Sequence, residues 1–97
     1  MNKDIIDNFK SQFTAREVLD KLCLEYEDKG DEVKILCVFH EESNPSLGIN
    51  LESGLFNCFS CGEKGRDILS FVSKYKQLDY VSTIEYIAKL LDIPLPS

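Results

Sequence analysis

Cys37-Val38-Phe39-His40 and Cys58-Phe59-Ser60-Cys61 each hold two residues between two potential metal ligands, and seventeen residues separate the pairs. A pair spaced this way presents both side chains to one ion from a tight turn. Two such turns complete a tetrahedron. Cys37, His40, Cys58 and Cys61 are therefore the expected ligands of one structural Zn2+. A catalytic zinc would keep a position open for water; here all four positions are filled, and His40 is the chain's single histidine.

The metal matters for folding because the chain is short. Its 97 residues, 43% of them hydrophobic, can bury a core, but a small one. Structural zinc supplies roughly 10–16 kcal/mol of apparent binding energy in small modules, against a whole-domain stability of about 5–15 kcal/mol. Nothing at the N-terminus reads as an export signal, and no apolar run approaches membrane-spanning length. A cytoplasmic setting is expected, where thiols stay reduced and paired cysteines read as metal ligands rather than disulfides. The fourth cysteine, Cys23, continues the apolar run Val18, Leu19, Leu22 and is expected to be a buried structural thiol.

The net charge of -6 argues against a sequence-independent polyanion binder, whose affinity comes from neutralising phosphate. The charge is uneven, however. Residues 1–33 carry nine acids against five bases, whereas residues 62–76 carry Lys64, Arg66, Lys74 and Lys76 against Glu63 and Asp67. Any nucleic-acid contact should fall on those four bases and on Lys34. Phe39, Phe56 and Phe59 could stack on bases or pack around the metal, and packing is expected for two of the three.

Hydrophobic periodicity orders the rest. Ile5, Ile6, Phe9 and Phe13 recur at helical steps, and Thr14 with Glu17 forms a capping box that opens a second helix. From Leu24 the period becomes two. Strands are expected around Leu24–Tyr26, Val33–Cys37, Leu47–Leu51 and Leu55–Cys58, with turns at Asp28–Asp31 and at Glu52-Ser53-Gly54. Gly62 and Gly65 mark a further turn. A helix follows from near Arg66 or Asp67, burying Ile68, Leu69, Phe71 and Val72. Asp79 caps a last helix, with Val81, Ile84, Ile87, Ala88 and Leu91 as its apolar positions, and Pro94 stops it. The expected fold class is α+β, a small antiparallel zinc-ribbon sheet of about four strands flanked by N-terminal and C-terminal helices. One domain spans 1–97, with helices in 1–23, the ribbon in 24–62, helices in 66–93 and a tail or linker in 94–97.

Leu36-Cys37-Val38-Phe39-His40, Glu42, Asn44-Pro45-Ser46-Leu47, Cys58-Phe59-Ser60-Cys61-Gly62, Gly65 and Asp67-Ile68 through Phe71 together resemble the N-terminal zinc-binding domain of bacterial and phage DnaG-type DNA primases. The order of elements along nearly the whole chain is similar too. The resemblance implies a structural zinc and a ribbon that engages single-stranded DNA template and supports primer initiation. Nucleotidyl transfer would belong to a separate Toprim core, so this module is expected to be no enzyme by itself. Partners would be the single-stranded template, the primase or polymerase catalytic core and other replication proteins, with no membrane. Val38 stands where the family usually has proline, and Glu41 and Glu42 make the loop acidic. The chain's acidic balance suggests an alternative, a free-standing zinc-ribbon adaptor that docks onto a replication polymerase or primase subunit through the acidic face of its N-terminal helices.

Overall fold

A computed structural model of the chain describes residues 3–36 and 46–96. Among these residues four helices and five strands follow one another as α1 (Lys3–Lys10), α2 (Ala15–Lys21), β1 (Tyr26–Asp28), β2 (Glu32–Ile35), β3 (Leu47–Asn50), β4 (Phe56–Cys58), β5 (Lys64–Gly65), α3 (Ile68–Lys76) and α4 (Tyr80–Leu91). The strands form one antiparallel sheet in sequence order. The architecture is the expected α+β ribbon, with a fifth strand where the glycine turn was expected. Gly65 makes that strand possible. It lies opposite Phe56, and a Cβ there would stand 2.7 Å from Cζ of the Phe56 ring. Any side chain would drive the ring out of the core.

Period-two alternation gives the sheet one apolar face. Val33 and Ile35 of β2, Leu47 and Ile49 of β3, and Phe56 and Cys58 of β4 are all buried in one cluster with residues from every helix. Phe56 meets Phe71 of α3 edge-on at 5.5 Å, and Phe9 of α1 meets Phe13 likewise at 5.4 Å. Val81 stands outside the core of the last helix, exposed, whereas Ile84, Ile87 and Ala88 are buried.

Acids and a threonine start the helices. Thr14 accepts the Glu17 N–H at 3.2 Å, Asp67 that of Ser70 at 2.8 Å and Asp79 that of Ser82 at 2.7 Å, each satisfying an orphan donor of the first turn. Three helices also end alike. Cys23, Gln77 and Asp92 adopt left-handed φ of 60°, 56° and 56°. The next residue's N–H then reaches back five positions, from Leu24 to Leu19, Leu78 to Ser73 and Ile93 to Ala88. This is a Schellman closure, whose last member is characteristically apolar.

That closure overturns the expectation for Cys23. Its thiol is exposed rather than buried, because the left-handed residue turns outward and Leu24 returns to the core in its place.

Candidate metal centre and nucleic-acid interface

β4 delivers Cys58 to the end of the sheet, and the following turn carries Cys61. Cys58 Sγ is buried. The Cys61 N–H points at it from 3.5 Å, and Ser46 Oγ lies 3.5 Å away on the neighbouring segment. Gly62, at φ 81°, lets its own N–H close on the Cys58 carbonyl at 3.0 Å, which tightens the turn. Burial pushes the Cys58 thiol up, but the hydrogen bonds from Ser46 and from the backbone at Cys61 and Ser60 outweigh it and lower its pKa to about 6. Such a sulfur is largely thiolate at neutral pH, the form a zinc ion requires. Cys61, the second expected ligand of the pair, is exposed at the turn.

Cys37 and His40 lie outside the described residues, as does Phe39. Among the described residues no group of three or more His, Cys, Asp or Glu is placed to hold a metal, since only Cys58 and Cys61 of the four expected ligands are there. The turn fits a zinc ligand pair in its donor chemistry.

The opposite face of the sheet brings together part of the expected nucleic-acid set. Register places Glu27, Lys34, Gly48, Asn57 and Lys64 in one row across all five strands. On β2, β3 and β4 the alternating neighbours of Lys34, Gly48 and Asn57 are buried in the core, so this row faces away from the helices. Lys34 Nζ leans over the Phe59 ring, 5.6 Å from its centroid. Phe59 itself is 70% exposed, whereas Phe56, three residues earlier, is fully buried. Leu36 and Leu55 are exposed as well.

The remaining expected bases lie elsewhere. Arg66 lines a cleft of about 500 Å³ between α1 and the starts of α3 and α4, with Lys3, Asp7, Lys10, Asp67 and Tyr80. Lys74 pairs with Glu63 at 3.3 Å. Lys76 lies 4.6 Å over the Tyr75 ring and 5.9 Å from that of Tyr86. Sequence clustering of these bases thus does not carry over to space. Asn57 was missed at the sequence level, although it alternates with the buried Phe56 and Cys58 on β4. No helix among the described residues is long and apolar enough to cross a membrane.

Comparison with known proteins settles the family. The model of the CHC2 zinc finger, the zinc ribbon of DnaG, matches residues 1–97. The chain belongs to the CHC2 zinc-finger family of DnaG-type primases. The DNA primase of Campylobacter jejuni is 28% identical over 95 residues, which are 98% of this chain and 15% of that protein. That of Mycoplasma pneumoniae is 27% identical over 88 residues, 91% of this chain and 14% of the relative. A crystal structure of the Aquifex aeolicus primase, covering its zinc-binding and RNA polymerase domains, superposes with a TM-score of 0.77 at 29% identity. That match spans 98% of this chain and 23% of the other. The chain thus corresponds to a small part of its curated relatives. The family is a zinc-binding one, and these likenesses favour the primase module over the free-standing adaptor.

Proposed function

We propose that this chain is the template-engaging zinc module of a DnaG-type primase, and that single-stranded DNA lies across the sheet face opposite the helices. The observation that carries the reading is the juxtaposition of Lys34, Asn57 and Lys64 in one row with the exposed Phe59 ring beside it. Stacking on an aromatic ring and phosphate contact by flanking cations are how single strands are held without sequence preference. Most of the chain's acids lie outside this face, but Glu27 and Glu32 stand on it beside the two lysines, so attraction is local and binding should be weak and salt-sensitive.

Cys37, His40, Cys58 and Cys61 hold one zinc in this reading, and the metal's chemistry is structural: it fixes the end of the sheet that displays Phe59. Nucleotidyl transfer lies with a catalytic core that this module supports during primer initiation, and the module does not polymerise by itself. Its setting is the cytoplasm and its protein partners are the other parts of the replication machinery.

Fluorescence anisotropy with a short single-stranded oligonucleotide at low salt tests the reading. Wild type should bind, and Lys34→Ala/Lys64→Ala should weaken binding and flatten the dependence of log K on log salt by about 1.4, at roughly 0.7 per phosphate contact. Equal affinity and salt slope in the two proteins would remove the sheet face from the interface.

A further inference from the structure

A carboxylate lies in the middle of the face proposed to meet DNA. Glu32 precedes Lys34 on β2 with the same parity. Its side chain leans across the neighbouring strand onto Gly48. A Cβ built on Gly48 would meet Glu32 Oε1 at 2.7 Å and Cδ at 3.3 Å. Gly48 therefore leaves a gap in the row between Lys34 and Asn57, and the Glu32 carboxylate fills it. No ion pair ties that carboxylate down among the described residues, although Glu27 on the same face pairs with Lys29 at 3.7 Å.

A negative group at this point is a liability if the face touches only phosphate. It becomes useful where bases rather than phosphates come down on the sheet. An ionised carboxylate only accepts hydrogen bonds. Cytosine offers it an exocyclic N4 amino group, the pairing by which Glu and Asp select that base. Uracil and thymine place carbonyl oxygens on both sides of a single N3–H, and a carboxylate repels those oxygens. Sequence-specific recognition of single strands works through such edges on splayed, stacked bases. Lys34 and Lys64 stand on the two sides of the gap, where they can hold the backbone, and Asn57 adjoins it with an amide that both donates and accepts.

We infer that Glu32, seated over Gly48, is a specificity-determining residue that selects template bases bearing an exocyclic amino group. The inference rests on the reading that single-stranded DNA crosses this face. It assigns the central carboxylate to base selection and the flanking lysines to affinity.

Oligomers of deoxycytidine and deoxyuridine form the discriminating pair, because at the pyrimidine ring they exchange an amino donor for a carbonyl. Anisotropy titrations of the zinc-loaded chain at low salt should show the cytidine oligomer bound more tightly by roughly tenfold. Glu32→Gln should bring the two affinities within about twofold of each other, mainly by weakening the cytidine complex. Gly48→Ala keeps the charge but displaces the flexible end of Glu32, and should collapse the preference too. Melting curves for both variants verify that the fold is retained.

Equal tightening of both oligomers by Glu32→Gln would show a carboxylate that merely repels phosphate, and would overturn the assignment. So would binding without preference in wild type, or an unchanged preference in Gly48→Ala. Absence of any binding by wild type would be a different failure, sinking the interface itself and this inference with it.

Discussion

The two faces of the ribbon sheet share their strands but nothing of their chemistry. Phe56 and Phe59 show the difference most plainly: three residues apart, one is sealed against Phe71 and the other stands 70% exposed beside Lys34. On the helix side, every strand residue of β2, β3 and β4 that points inward is apolar or a cysteine. On the other side stand Glu32, Lys34, Asn57 and Lys64, with glycine in their midst. Alternation at period two lets one short strand serve both ends at once. The comparison teaches that the residues that hold the fold and those proposed to meet DNA are separable here. Damage to one face should be read out as unfolding, damage to the other as lost binding.

The metal offers the most severe way to break that separation, because Cys58 belongs to the buried face yet would anchor the end of the exposed one. Chelation, or Cys58→Ala, should cost on the order of 10 kcal/mol and abolish the cooperative melt of the ribbon. A chelated chain that melts like the untreated one would show that hydrophobic burial alone holds both faces. Next in size is Phe56→Ala, which should lose about 3–5 kcal/mol in chemical denaturation through cavity formation. Its effect on DNA affinity, measured well below the melt, should be small.

Phe59→Ala is the mirror experiment. Loss of one stacking contact should weaken oligonucleotide binding by about 1–3 kcal/mol, with stability changed by no more than about 0.5 kcal/mol. If this variant instead unfolds, the exposed ring belongs to the core in solution and the two-faced description fails.

Away from the sheet, the tie between α1 and α3 sharpens the buried side of the comparison. Burial pushes the Asp67 carboxyl up, but the Ser70 N–H and the Lys10 ammonium, 3.0 Å away, outweigh it and hold the carboxyl below the usual carboxylate range. A folded value below the unfolded one contributes stability that is fully present above about pH 4 and is lost as pH falls through the lowered value. Asp67→Asn keeps the cap oxygen and drops the ion pair. It should cost about 1 kcal/mol at pH 7 and flatten the acid limb of a stability-versus-pH curve. The smallest effect is a gain. Gln77→Gly relieves a left-handed backbone and should raise stability by up to about 1 kcal/mol in thermal melts, without touching DNA affinity.

Much of this was legible in the residues. The helices, the turn at Glu52-Ser53-Gly54 and the caps at Thr14 and Asp79 follow from local chemistry, which acts over three or four residues. Cys23 was misread for an instructive reason. Its neighbours form an apolar run, but a Schellman closure reverses the chain at that position, and hydrophobicity alone does not encode a left-handed residue that is not glycine. β5 escaped notice because two residues carry no period. Only pairing with β4, permitted by the missing side chain of Gly65, makes them a strand.

By itself the sequence determined the paired Cys and His spacing, the α+β class and which strand residues alternate, since each depends on spacing along the chain. The tertiary structure decided which side chains meet. Strand order and register are long-range properties, and they alone bring Lys34, Gly48, Asn57 and Lys64 into one row and lay Glu32 over the gap, while sending Arg66, Lys74 and Lys76 to other surfaces. Charge clustered along a chain need not be clustered in space, because a sheet selects its face by parity and its neighbours by register.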